Sequence, residues 1–285
     1  MRRLHPVLIL VGLLGLLVGA AKAGAEAELW KSFHDQGMQA YARGDLAGAE
    51  KLYLSALHEA EGYGKDDLRV ATVLDSLAQV YYGERRYDEA VPLWRRSLLI
   101  WEKALGPDAP NIATVCDNLG NYYLAKQNLK EAEPLLKRAL AIWEKTPGPP
   151  GAPALDQPDL IRRLNTLAHI AYDQRRYAES ESLYRRSLAL QEKALGPECP
   201  DVATTVDFIA VLCTFQGKYA EAEPLHQRAI AIREKLLGPS SSDLATSLEN
   251  YAVLLRKTNR KNEAEKLETR AKGIRIQHQR EQFKP

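Results

Sequence analysis

Cysteine, methionine and phenylalanine are scarce in this chain of 285 residues: three, two and four, respectively. Three cysteines, at positions 116, 199 and 213, build no disulfide framework. Charge of one sign is scarce as well. Lys and Arg number 39 against 37 Asp and Glu, a formal net charge of +2. That balance gives no basis for nucleic-acid binding, which rests on a clustered basic face. Catalytic signatures are missing. None of the six histidines stands in an H-E-x-x-H pair, and there is neither a G-x-S-x-G elbow nor a glycine-rich phosphate loop. Gly62-Tyr63-Gly64 lacks a third glycine and follows a helical pattern, so it reads as a helix stop. The expectation is a protein with no catalytic, cofactor-binding or metal-binding residues. With 45% hydrophobic and 27% charged residues, the chain has the composition of a folded globular protein.

One long apolar run is present, at the N-terminus. Arg2 and Arg3 precede Val7 to Val18, which is wholly Val, Leu, Ile and Gly, and Ala21-Lys22-Ala23 offers a small-residue cleavage site. This order is that of a signal peptide over 1–23, with a secreted or periplasmic mature chain. The alternative is an uncleaved anchor, since Leu4 to Ala21 is 18 uncharged residues, close to the lower limit of ~17 for a spanning helix. Contact with a membrane is expected only in that case.

From residue 24 onward the chain repeats itself. Gly106-Pro107, Gly196-Pro197 and Gly238-Pro239 each follow an E-K-[AL]-L run. Tyr87-Asp88-Glu89-Ala90, Leu129-Lys130-Glu131-Ala132, Tyr177-Ala178-Glu179-Ser180 and Tyr219-Ala220-Glu221-Ala222 align, and weaker copies end at Ala49 and Ala264. Adjacent copies are 41 or 42 residues apart, apart from one interval stretched by a Pro/Gly-rich insertion at 146–156. A fixed period of this length is the mark of a solenoid. The repeats span about 29–66, 67–107, 109–148, 157–197, 199–239 and 241–277, with a polar tail at 278–285. Within each, apolar residues recur at helical spacing, as in Val115, Cys116, Leu119, Gly120 and Tyr123. Small residues form two columns where helices must touch: Gly37, Ala78, Gly120, Ala168, Ala210 and Ala252, and Ala56, Ser97, Ala139, Ser187, Ala229 and Ala271. Cys116 and Cys213 read as small core residues. Asn111, Asp159, Asp201 and Asp243 are placed to cap the first helix of their repeats.

Each copy resembles a tetratricopeptide repeat, most closely the 42-residue kind of kinesin light chains, as Pro200 to Pro239 shows best. The resemblance implies an all-α, right-handed solenoid of about six helix-turn-helix repeats. It also implies a protein-binding scaffold or adaptor whose concave groove, built mainly from the first helix of each repeat, holds a peptide. Carried over position by position, the groove candidates are Asp75, Asp117, Asn165, Asp207 and Glu249 in a first column beginning at His34. Asn118, Phe208 and Asn250 lie in a second, and Gln79, Asn121 and His169 in a third. Kinesin light chains usually carry paired Asn in the first two columns. Here four of six first-column residues are acidic. The expectation that follows is a partner segment containing Lys or Arg, gripped by charge-assisted bonds.

Overall fold

Two amphipathic segments per repeat become two helices. The structure is a computed structural model that describes residues 29–145 and 157–282. The apolar N-terminal run, the Pro/Gly-rich insertion at 146–156 and the last three residues lie outside it. Among the described residues there are twelve α-helices and no strand. Helix α1 covers residues 29–42. It is followed by α2 (Leu46–Glu61), α3 (Leu68–Gly83), α4 (Tyr87–Leu105), α5 (Pro110–Ala125) and α6 (Leu129–Lys145). Then come α7 (Gln157–Asp173), α8 (Tyr177–Leu195), α9 (Pro200–Phe215), α10 (Tyr219–Leu237), α11 (Ser242–Lys257) and α12 (Lys261–Gln282). Odd-numbered helices are the first of each repeat and even-numbered helices the second. Two compact units divide the chain between Ile142 and Trp143.

Within each unit, helices pack on their chain neighbours: α3 on α4 and α2 on α3 in the first, α7 on α8 and α8 on α9 in the second. The small columns lie at these contacts. Ala56, Ala78, Ser97, Ala139, Ala168, Ser187, Ala210, Ala229 and Ala271 are fully buried. A Cβ on Gly37 would stand 2.7 Å from the Tyr53 ring, and one on Gly120 2.7 Å from the Leu136 side chain. Bulk at either point would force the paired helices apart.

The turns repeat as faithfully as the helices. Between the two helices of every repeat one residue has positive φ: Gly44, Arg85, Gln127, Arg175, Gly217 and Asn259. The next amide reaches back five residues, as from Arg86 to the Tyr81 carbonyl at 2.8 Å and from Arg260 to Leu255 at 2.8 Å. This left-handed residue with a six-to-one bond closes a helix and satisfies a terminal carbonyl. The ends of α4, α8 and α10 use Gly106, Gly196 and Gly238, with φ near +80°, and a proline then blocks continuation.

Two sequence expectations are corrected here. Asn111, Asp159, Asp201 and Asp243 are not caps but lie inside the first turns of α5, α7, α9 and α11. Pro110 and Pro200 start their helices one residue earlier, since a missing N–H and a fixed φ suit that position. The acids still favour the positive helix end. Side-chain caps occur at Asp67, which accepts from the Arg69 amide at 2.9 Å, and at Ser241. The tail is also shorter than expected, because α12 runs on to Gln282 with no Gly-Pro stop to end it.

Stacking of successive second helices is marked by one arginine each. Arg96 pairs with Glu61 at 2.8 Å, Arg228 with Glu192 at 2.6 Å and Arg270 with Glu234 at 2.6 Å; Arg138 with Glu102 repeats the contact. Three of these guanidinium groups also donate to a loop carbonyl, at Lys65, Pro107 and Pro197. Half-exposed pairs contribute at most about 1 kcal/mol each, so the ladder sets register more than stability. No described helix is long and apolar enough to cross a membrane.

Candidate functional site

In the second unit, the columns on α7, α9 and α11 line two adjoining cavities. One, of about 530 Å3, is walled by Ile161, Asn165, Thr166 and His169 of α7, by Gln191 and Leu195 of α8, and by Asp201 and Thr204 of α9. The other, of about 480 Å3, runs from His169 and Asp173 past Thr204, Asp207, Phe208 and Val211 to Arg233, Asp243 and Asn250. His169 and Thr204 border both. Three successive first helices therefore form one trough.

Its floor is aromatic. Tyr184 and Phe208 stack with ring centroids 5.2 Å apart and planes 2° from parallel. His169 meets both rings edge-on, at 5.6 and 5.0 Å. Such pairs hold each ring in one orientation. Burial lowers the His169 pKa, against the pull of Asp173.

The first column proves to be something other than a free acidic stripe. Asp207 is only 4% exposed. Its Oδ2 accepts from Arg233 at 3.0 Å, Ser247 at 3.0 Å and Asn250 at 3.1 Å, and its Oδ1 lies 3.3 Å from His226 Nδ1. Burial alone would raise its pKa; the His226 bond and the Arg233 charge outweigh burial and lower it. Glu249 is gripped by both branches of Arg275, at 2.7 and 2.6 Å, which lowers its pKa. Asp75 accepts from Trp101 Nε1 at 2.9 Å and from Ser97 Oγ. Burial pushes its pKa up to about 6 against those two bonds. In each case the partner stands 26 residues downstream, on the second helix of the same repeat. The column is a polar link between paired helices. The sequence carried that signal as an acid followed at fixed distance by Trp or Arg, and reading each column alone concealed it.

The other candidates fall as follows. Asp117 is buried in α5. Gln79, Asn118 and Asn121 are half-buried in the first unit, and the Asn118 Nδ2 has no partner. Asn165, His169, Phe208 and Asn250 meet at the trough. A surface that sequence reasoning missed lies elsewhere in the first unit. There Leu98, Leu99, Leu119, Pro134 and Leu135 enclose about 490 Å3 between Arg95 and Arg138, with Leu99 66% exposed.

Cys116 and Cys213 are buried and Cys199 half-buried, all as free thiols. Oxygen and sulfur atoms of Glu181, Cys213 and Glu221 lie within 4.8 Å of one another, an arrangement open to a metal ion. Positive charge is already supplied there, since Arg185 and Lys218 each hold Glu181 at 2.8 Å. Burial pushes the Cys213 thiol up to about 11, which disfavours the thiolate a metal needs. The cluster is an internal ion network.

Comparison with known proteins agrees with the geometry. The family model described as tetratricopeptide repeat matches residues 70–145, 160–235 and 205–277. No curated protein matches the chain in sequence. Among solved structures, the nearly identical TPR-like repeats of a putative kinesin light chain from Podosopora anserina are 24% identical, with a TM-score of 0.56 over 75% of this chain and 97% of that one. BtubC (BKLC) from P. vanneervenii is 22% identical, with a TM-score of 0.56 over 84% and 94%. YrrB, described as a TPR protein with an unusual peptide-binding site, is 16% identical, with a TM-score of 0.54 over 79% and 94%.

Proposed function

The chain belongs to the tetratricopeptide repeat family, and on that premise we propose that it is a protein-binding scaffold whose second unit receives an extended peptide along α7, α9 and α11. The observation that carries this reading is the trough itself: two adjoining cavities share His169 and Thr204, over an aromatic floor. Asn165, Thr204 and Thr246 offer bonds to a peptide backbone, and Phe208 offers an apolar face.

A preference for Lys or Arg in the partner finds a different basis from the one the sequence offered. Asp207 and Glu249 are matched by Arg233 and Arg275 and attract little. The exposed carboxylates of Asp173, Asp201 and Asp243 stand along the trough, and none of them is in an ion pair among the described residues. They are the groups a cationic partner segment would meet. We assign the apolar N-terminal run to export, which N-terminal sequencing of the protein from its host would check: a start at Gly24 supports cleavage, and an intact Met1 opposes it.

The test of the trough is selection of displayed peptides on residues 24–285, followed by mutation. His169→Ala and Phe208→Ala should each weaken the selected peptides by about tenfold, while Leu99→Ala leaves them unchanged. Binding should also fall as salt screens the exposed carboxylates beyond about 8 Å. Loss on Leu99→Ala with His169→Ala silent would move the site to the first unit and overturn the proposal.

A further inference from the structure

Repeat four breaks the pattern at the start of its first helix. Val70-Ala71-Thr72, Ile112-Ala113-Thr114, Val202-Ala203-Thr204 and Leu244-Ala245-Thr246 stand in phase, and the fourth copy reads Leu160-Ile161-Arg162. The four alanines are fully buried, whereas Ile161 is half-buried and lines the cavity of about 530 Å3 at the head of the trough. Beside it in that wall are Pro158, Ala194 and Leu195, all exposed, with Leu195 53% open to water. Arg162 makes the second difference. It pairs with Asp159 at 2.8 Å, so the acid that opens α7 is matched. Asp201 and Asp243 hold the same place on α9 and α11, have threonine where α7 has Arg162, and are in no ion pair among the described residues. Asp201 borders the head cavity on its α9 side, and Asp173 and Asp243 border the next cavity. The trough therefore begins with exposed carbon and a matched acid, and turns negative toward α9 and α11.

We propose that the head cavity takes an aliphatic side chain, a leucine or isoleucine, of a partner segment that carries lysine or arginine three residues away. The inference rests on the trough reading and gives its peptide a pattern. Ile161, Ala194 and Leu195 present carbon that is in contact with water, and covering it with an aliphatic group is favourable. A basic side chain fits this end badly, because its charge would shed water against carbon and beside the Arg162 guanidinium. The spacing follows from the stacking. Adjacent helices lie about 8–10 Å apart. In an extended chain of polyproline type, side chains three residues apart share one face about 9 Å apart. A leucine in the head cavity thus places its third neighbour at the second cavity. There Asp173 and Asp243 offer charge-assisted bonds to a cation.

The experiment titrates capped heptapeptides into residues 24–285 labelled with 15N. The probes are Ala-Leu-Ser-Ala-Lys-Ser-Ala and its opposite order, Ala-Lys-Ser-Ala-Leu-Ser-Ala. The better of the two should bind about tenfold more tightly than a version with Ser in place of Leu. It should also exceed, by about threefold or more, a version with Gln in place of Lys and one with Leu and Lys adjacent. Backbone signals of Ile161 and Leu195 should move together with those of His169 and Phe208. Leu195→Asp, at an exposed position, should leave the melting temperature unchanged and erase the gain from Leu. Asp243→Asn should erase the gain from Lys and its salt dependence. Equal binding of the Leu and Ser peptides, with His169 and Phe208 moving, overturns the subsite and leaves the trough standing. Absence of any shift at His169 and Phe208 overturns the trough, and the subsite with it. Tighter peptide binding on Leu155→Ser would put the chain's own leucine in the cavity, and Leu195 signals that shift on dilution of the free chain would put a second copy there; either result overturns the proposal.

Discussion

An aspartate occupies the same place in the first helix of the second and fifth repeats, and its two copies have opposite chemistry. Asp75 is bonded to neutral donors, Ser97 and Trp101, and burial raises its pKa to about 6. Asp207 is bonded to a buried arginine, and its pKa is lowered. Burial acts the same way in both; the partner on the second helix decides the sign. The repeat thus fixes where a polar group sits, and one residue 26 positions away fixes what it is. A solenoid can vary its chemistry repeat by repeat without changing its packing, because each repeat touches only its neighbours.

The largest expected effect breaks the comparison at its stronger end. Asp207→Asn removes the charge facing Arg233, which is 6% exposed. An arginine left buried without its partner costs about 3–5 kcal/mol. Chemical denaturation of the full chain should show that loss at neutral pH, while Asp75→Asn should be neutral or stabilising, since it removes an unneutralised charge. The double change Asp207→Asn with Arg233→Gln should recover much of the loss, because it leaves no buried charge without its partner. Equal losses for Asp75→Asn and Asp207→Asn would show that the two links are not different in kind.

Acid sharpens the same contrast with a smaller effect. The Asp75 carboxyl has a folded pKa of about 6 against 3.8 for the free group. Between those values the folded state keeps a proton that the unfolded chain has released. Asp75 therefore adds stability as pH falls from 7 through 6 toward 4. The shift corresponds to about 1–3 kcal/mol at ~1.4 kcal/mol per unit. Asp207 acts in the other direction: its pKa lies below 3.8, so its stabilisation is present above 3.8 and fades as pH falls through its folded value. Unfolding free energies at pH 7 and pH 5 should show Asp75→Asn losing the gain that the parent makes on acidification. An unchanged gain in that variant would assign it to other groups.

These contrasts also mark the limits of the sequence. Period, helix pairs and small columns were legible because they are local: Gly120 and Ala132 announce a close contact whatever lies around them. Trough residues Asn165, His169, Phe208 and Asn250 were legible by phase alone. The state of the acidic column was not, because charge in a folded protein belongs to pairs. Asp207 and Glu249 looked like an attractive surface until Arg233 and Arg275 were seen to face them. That the buried Asn165 Oδ1 and Gln191 Oε1 find no partner among the described residues was invisible for the same reason, since a missing bond has no sequence pattern. Helix starts shifted by a residue or two because Pro110 and Pro200, not the acids after them, set the first turn.

The turns supply the counter-case, in which the residue changes and the geometry does not, and the smallest expected effect lies there. Six positions in phase carry φ between +57° and +79°, yet only Gly44 and Gly217 are glycine. Arg85, Gln127, Arg175 and Asn259 hold the same conformation with a side chain attached, at a cost of about 1–2 kcal/mol for a Cβ in that region. Glycine relieves the clash but loses more freedom on folding, by roughly 0.5–1 kcal/mol. The balance favours Gln127→Gly by about 0.5–1 kcal/mol, and Gly217→Ala should lose a similar amount although nothing lies within 4 Å of the added Cβ. Asn259→Gly should gain least, since asparagine tolerates this region better than arginine or glutamine. Melting temperatures of the three variants rank the effects, at about 2–4 °C per kcal/mol for a chain of this size. A fall on Gln127→Gly would show that chain entropy outweighs strain, and that the turn is held by its six-to-one bond whatever residue occupies it.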